Sequence, residues 1–152
     1  MIKTSSLLSD SKSNNEERLE LVMQVTGVGI WDWQVQTGAL TFNQRWVEII
    51  GYTVEELQPT QFDTWAHNLH PDDLIEAKKK LEQHWSGELE FYEVEARMKH
   101  KEGGYVWVLT SGKVVEWLTN GQPKRMLGTH LDITERKASE LASANYCQPI
   151  AR

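Results

Sequence analysis

Apolar residues recur along this chain with two different periods, and the points where the period changes mark the elements. In residues 15–25 the spacing is helical. Leu19, Val22 and Met23 share one stripe, which Leu21 and Val25 widen. Ser13-Asn14-Asn15-Glu16 has capping-box spacing, so a helix is predicted over 15–25, and Gly27 and Gly29 break it. The period then falls to two. Trp31, Trp33 and Val35 take one face of a strand over 30–36, with Asp32 and Gln34 on the other. Thr37-Gly38 turns the chain into a second strand, 39–43, and a short helix over 44–50 stops at Gly51. Residues 53–69 read as loop with one or two helical turns. Pro71 sits at a first-turn position, and Asp72 and Asp73 suit the positive end of a helix that continues to about Trp85 and ends at Ser86-Gly87.

The second half alternates almost throughout. A third strand over 89–99 puts Tyr92, Val94, Ala96 and Met98 on one face and Glu93, Glu95, Arg97 and Lys99 on the other. Gly103-Gly104 is a hairpin turn. Residues 105–111 and 113–118 form one bent strand, with a bulge predicted at Gly112. Asn120-Gly121 is a strong hairpin signal, because both residues tolerate positive φ. The last strand, 125–133, places Met126, Gly128, His130 and Asp132 on one side and Leu127, Thr129, Leu131 and Ile133 on the other. At Asp132-Ile133-Thr134-Glu135 the pattern turns helical, with Asp132 or Thr134 able to cap the first free N–H groups. The order implies an α+β fold, a five-stranded antiparallel sheet with helices on one face. A strand that enters an exit helix without a loop is a mechanical coupler.

Composition narrows the function. The 152 residues suit one domain, and a net charge of −6 argues against a nucleic-acid partner. The one cysteine, Cys147, excludes an intrachain disulfide and reads as a tail thiol. No run approaches the ~18 apolar residues that span a bilayer. The N-terminal apolar stretch is too short for a signal peptide, so a cytoplasmic protein with no membrane insertion is expected. Residues 1–12 are expected to be mobile. Ser111-Gly112 is not a nucleophile elbow, and no glycine-rich phosphate loop is present. His67 and His70 are three apart, but no third ligand is placed, and polar residues flanking a helix start are the simpler reading. Lys78-Lys79-Lys80 is a solvated helix face. Neither a catalytic residue nor a metal site is expected.

The segments KHKEGGYVW, NGQPKRMLGT and HLDITERK together resemble the C-terminal motif of PAS sensory domains, and GIWDWQVQTGALTFNQRWVEIIGYTVEEL with HPDDL resembles the first part of that domain. The resemblance covers residues 26–137, between a flanking segment (1–25) and an exit helix with tail (138–152). It implies the PAS fold and a role in signalling. The pocket it implies lies between sheet and helices, lined by Tyr92, Val94, Met98, Val106, Val108, Met126 and His130. His130 stands where flavin-binding, light-sensing members carry a glutamine, and Met98 and Val108 where they carry two asparagines. Their Asn-Cys-Arg-Phe motif is absent, which argues against a light-driven flavin adduct. The related haem sensors place an axial histidine early in the long helix. Here residues 72–77 contain none, and His84, near the helix end, is expected at the surface. A colourless protein with no tightly bound cofactor is therefore expected.

Trp107, Asp132, Ile133 and Thr134 are the implied relay, with Trp107 on the sheet face opposite Val106 and Val108. The seven tryptophans, Trp31, Trp33, Trp46, Trp65, Trp85, Trp107 and Trp117, could line an aromatic pocket for a planar ligand, but most read as core and interface packing. Leu19, Val22 and Met23 make a dimer helix, because an apolar helix flanking a sheet needs a partner surface. Three functions remain open at this point. The domain is a small-molecule receptor that relays to an output domain (a histidine kinase or diguanylate cyclase), or a ligand-free homodimerisation and relay module, or, with less support, a flavin or haem redox sensor.

Overall fold

The computed structural model describes residues 2–58 and 60–147, with side chains for 14–58 and 60–143. Helix α1 (Ile2–Thr26) leads into β1 (Gly29–Gln34) and β2 (Leu40–Phe42). Helix α2 (Gln44–Ile49), a 3₁₀ turn at Glu55–Leu57, α3 (Phe62–Asn68) and α4 (Pro71–Trp85) follow. Then come β3 (Tyr92–Lys99), β4 (Tyr105–Trp117), β5 (Pro123–Asp132) and α5 (Thr134–Cys147). The five strands form one antiparallel sheet in the order β2-β1-β5-β4-β3, so the first and last strands of the chain are hydrogen-bonded neighbours.

Local signals explain most boundaries. Asn43 caps α2, its side chain accepting from the Trp46 N–H at 3.1 Å. His70 caps α4 by accepting at Nδ1 from the Asp72 N–H, and Pro71 takes a first-turn position. Gly121 turns β4 into β5 with φ of 85°. Helix α1 differs from expectation. Its backbone is helical from Ile2, so the capping box at Ser13–Glu16 does not start it and residues 2–12 belong to the helix. The side chain of Cys147 lies outside the described residues.

The predicted bulge at Gly112 is also corrected. Gly112 pairs in register with both Tyr92 and Gly128, and the irregularity falls between Val114 and Trp117. Gly112 is there for space. A Cβ on it would sit 2.5 Å from Trp31 Cη2, and one on Gly128 would sit 2.1 Å from both Trp31 Cζ2 and the Ser111 carbonyl oxygen. The Trp31 indole therefore lies across β5 and β4 over a glycine pair, and its Nε1 donates to the Thr129 carbonyl at 3.2 Å.

His84 is buried, at 5% exposure, and not at the surface as expected. Pairing of β4 with β3 ends at Gly112. Two residues on, the Val114 N–H donates to His84 Nε2 at 3.0 Å, while Nδ1 donates to the Leu89 carbonyl at 3.0 Å. The imidazole thus supplies the partner that the end of β3 no longer provides.

Gly128→Ala sets a Cβ against backbone that cannot turn aside. Urea titration should show a stability loss at or above the ~1–3 kcal/mol typical of overpacking. It should exceed the loss for Gly112→Ala, whose closest neighbours are side-chain atoms of Trp31.

Candidate functional site

Two places concentrate chemistry, and the first is the junction of sheet and exit helix. Only Ile133 separates β5 from α5. Its N–H donates to the Trp107 carbonyl at 2.9 Å, its carbonyl accepts from the Lys137 N–H at 2.9 Å, and its side chain is buried. Asp132 Oδ1 accepts from the backbone N–H of Thr134 at 2.9 Å and from its hydroxyl at 2.6 Å, closing the turn that starts α5.

Side chains reinforce this junction on the outer sheet face. Lys137 Nζ lies 4.6 Å from the centre of the Trp107 ring, and the Arg97 guanidinium carbon 5.2 Å from it. Lys137 also donates to Glu95 Oε1 at 3.1 Å, and Arg136 donates to the same carboxylate. Arg97 reaches back to α4, where its guanidinium meets both oxygens of Asp73 at 2.9 Å and its N–H donates to Oδ2 at 2.7 Å. The hydrogen bond from Lys137, joined by the charges of Lys137 and Arg136, holds the Glu95 carboxyl below its ordinary range. For Asp73 partial burial works upward, but the Arg97 hydrogen bonds outweigh it and the net shift is down.

The second place is the interior between sheet and helices. A cavity of about 30 Å³ is lined by Trp31, Trp33, Leu40, Trp46, Phe62, Trp65, Leu81, Tyr92, Thr110 and His130. It is room for about one or two waters. Phe42, Trp46 and His130 form a stack, with ring centres 4.0 and 4.8 Å apart. Burial pushes the His130 imidazole down to about 3, so it is neutral at physiological pH. Trp33 Nε1, Trp46 Nε1, Trp65 Nε1, Tyr92 Oη and Thr110 Oγ1 are buried and have no hydrogen-bond partner among the described residues. Each such group costs about 1–3 kcal/mol. All five belong to residues that line this cavity.

A family model described as PAS fold matches residues 39–130. The chain belongs to the PAS family. The domain is 28% identical over 144 residues to the blue-light-activated histidine kinase of Brucella ovis, covering 95% of this chain and 28% of the kinase. The chain thus spans little more than a quarter of the curated relatives it matches. A sensory box histidine kinase/response regulator from Burkholderia thailandensis superposes with a TM-score of 0.76 at 29% identity, over 88% of this chain and 97% of that one. The N-terminal domain of a diguanylate cyclase with PAS/PAC sensor from Marinobacter aquaeolei gives 0.62 at 22% identity, over 72% of this chain and 98% of that one, which is a likeness of fold.

Within this PAS domain the expected residues fall in three groups. Of the seven pocket candidates, Tyr92 and His130 line the cavity. Val94, Met98, Val108 and Met126 are core residues around it, and Val106 is half-buried against that core. Trp107 lies on the outer face against Arg97 and Lys137, Ile133 and Thr134 form the junction, and Asp132 is exposed despite sharing the parity of His130. Leu19 and Val22 are exposed and Met23 is half-buried on α1. Sequence reasoning missed Asp73, Glu95, Arg97 and Lys137 as contacts of the junction. Trp31, Trp33, Trp46 and Trp65, for which packing was the preferred reading over an aromatic pocket, are cavity walls, and period-two spacing had already put Trp31 and Trp33 on one face.

A flavin, which the resemblance to light-sensing members raises, does not fit these residues. Trp31 lies across the middle of the sheet, the remaining space is about 30 Å³, and the one cysteine closes α5. Among the described residues no group of three or more His, Cys, Asp or Glu side chains is placed to hold a metal, and no helix is long and apolar enough to cross a membrane.

The neutral His130 fixes a pH dependence. Its folded pKa lies below the unfolded value of about 6.5, so the unfolded chain alone takes up its proton as pH falls toward 3. The carboxylates held low, Asp73 and Glu95, act only below their own ordinary range. Stability measured in urea should fall on acidification from pH 6 to 5 with a slope contribution of up to about 1.4 kcal/mol per pH unit. His130→Gln should remove that contribution whatever it does to the stability at pH 7.

Proposed function

We propose that this PAS domain relays a shift of its sheet into α5, works as a homodimer, and serves an output domain attached beyond α5. One observation carries the reading. The strand β5 passes into α5 through the single residue Ile133, whose backbone bonds both Trp107 on β4 and Lys137 on α5. A displacement of β4 against β5 therefore acts on the first turn of the helix, with no flexible loop to absorb it. The Asp73–Arg97 and Glu95–Lys137 pairs extend the same contact to α4 and β3. The curated relatives are named as histidine kinases, and a kinase is the output this reading favours, in the cytoplasm.

The partner surface is α1 together with the outer sheet face, and its occupant is a second copy of the chain. Leu19, Leu21, Val22 and Val25 on α1 and Val115 and Trp117 on β4 are large apolar side chains left exposed. An isologous contact lets each copy bury the other's patch.

If the junction couples, Asp132→Ala should loosen α5 more than the sheet. Hydrogen exchange should show residues 135–141 losing roughly fivefold of their protection, from a cap worth about 1 kcal/mol, while residues 105–109 keep theirs. Equal loss in both segments would leave Asp132 a cap and nothing more. For the dimer, light scattering of the intact chain should give twice the monomer mass, and a chain beginning at Thr26 should give the monomer mass. The same monomer mass for both would remove α1 from the interface.

A further inference from the structure

The start of α4 is held by a side chain that can change charge. His70 is half-buried there, and its Nδ1 caps the helix by accepting from the Asp72 N–H at 3.2 Å. Nδ1 accepts only as a bare nitrogen, so the neutral ring carries its proton on Nε2. The backbone N–H of His70 donates to the Arg97 carbonyl on β3 at 2.9 Å. Its ring packs against Tyr105 on β4, with ring centres 5.2 Å apart. The usual caps Ser, Thr and Asn accept at any ordinary pH. A histidine cap accepts only while uncharged.

The neighbours fix what a proton gained here would do. The imidazolium has an N–H on each nitrogen and no acceptor, so the bond from the Asp72 N–H is lost. The positive end of the helix repels the new charge as well. Along the elements packed against His70, the charged or titratable groups at its level are Asp72 and Asp73 on α4, Arg97 and Lys99 on β3, Tyr105 on β4 and the exposed His67 in the last turn of α3. The two carboxylates attract an imidazolium, and Arg97 and Lys99 oppose it. Asp73 is already engaged. Its Oδ2 accepts from the Arg97 backbone N–H at 2.7 Å and from Nε at 2.9 Å, and its Oδ1 from Nη2 at 2.9 Å. A charge on His70 bears on this carboxyl, which is held below its ordinary range and stays ionised while a histidine titrates. An uncapped imidazolium and the Arg97 guanidinium therefore compete for one carboxylate. The contest reaches further, because the same guanidinium lies against the Trp107 ring that Lys137 of α5 also meets.

We propose that His70 is a proton-operated latch on the start of α4. Uncharged, it caps the helix. Charged, it gives up the Asp72 N–H and loosens the grip of Asp73 on Arg97. The proton comes from the solvent that reaches the half-buried ring, and the new N–H is the one covalent bond formed. Acid thus has an input to the outer sheet face that does not pass through the interior. What the latch does to α5 rests on the relay reading, and the two are tested apart.

The test is a titration of the intact ¹⁵N-labelled chain from pH 8 to 5.5, the range in which histidines change charge. It is read at the Asp72 amide, the Arg97 Nε–H and the amides of residues 135–141. The Asp72 amide should shift along one titration curve. The Leu74 N–H, which donates to the His70 carbonyl, should lose about fivefold of its protection from exchange, as a lost cap implies. The Arg97 Nε–H should move with the same midpoint. His70→Asn keeps an accepting cap that does not titrate, so it should abolish these responses while the acid sensitivity of global stability due to His130 remains. His70→Ser serves the same purpose if the Asn variant does not fold. A response of residues 135–141 with the same midpoint would support the latch and carry it into α5. A response at Arg97 without one in residues 135–141 would support the latch and remove this route from the relay. Three results would overturn the proposal: an Asp72 amide that does not titrate in this range, a titration that persists in the His70 variants, or a shift at Asp72 with Arg97 unmoved, which would leave His70 a cap and nothing more.

Discussion

The close approach of one indole to the sheet organises this domain. Trp31 can lie flat over β5 and β4 only because Gly128 and Gly112 face each other there without side chains. That contact joins β1, from the start of the chain, to the two strands nearer its end, and so helps close the fold across about a hundred residues of sequence. It fixes the register of three strands at once, since a one-residue slip would put Ser111 or Lys113, or Leu127 or Thr129, beneath the ring. It also fills the middle of the interior, which is why so little space remains and why it remains toward α3 and α4.

The interior is consequently aromatic where a smaller core would be aliphatic, and this has an electrostatic cost. Indoles bring N–H groups that an aliphatic core would not, and His130 sits among them uncharged. Ordinary packing argues against keeping such groups unpaired. The outer face behaves differently. There Asp73, Arg97, Glu95 and Lys137 are partly solvated, and each finds an opposite charge or a ring face.

Much of the architecture was legible in the residues. Period-two runs located the strands, Asn120-Gly121 located the β4–β5 hairpin, and the change of period at Asp132 located the exit helix. The parity of Trp107 put it on the outer face, where it lies. What stayed hidden depended on contacts distant in sequence. Gly112 looks like a bulge within its own strand and proves to be clearance for a ring 81 positions away, at Trp31. His84 looks like a solvated helix end, and its role appears only when β3 stops short of Val114. The cavity walls were ambiguous for a similar reason. Spacing shows which face a tryptophan takes, but not whether its N–H meets a carbonyl, as in Trp31, or finds no partner among the described residues, as in Trp33, Trp46 and Trp65.

The ring of Trp107 and the two cations beside it lie on the outer sheet face, the one proposed above to meet a second copy. In water such contacts are weak, because solvent competes for every charge. Excluding that solvent strengthens them, so covering this face would tighten the hold of Lys137 on Trp107 and of Glu95 on α5. By reciprocity, a domain whose exit helix is already ordered would present a better-formed surface and associate more readily. The order of the helix would then follow the concentration of the protein as well as any event in its interior. One aromatic side chain would thus make association and output two measures of the same equilibrium.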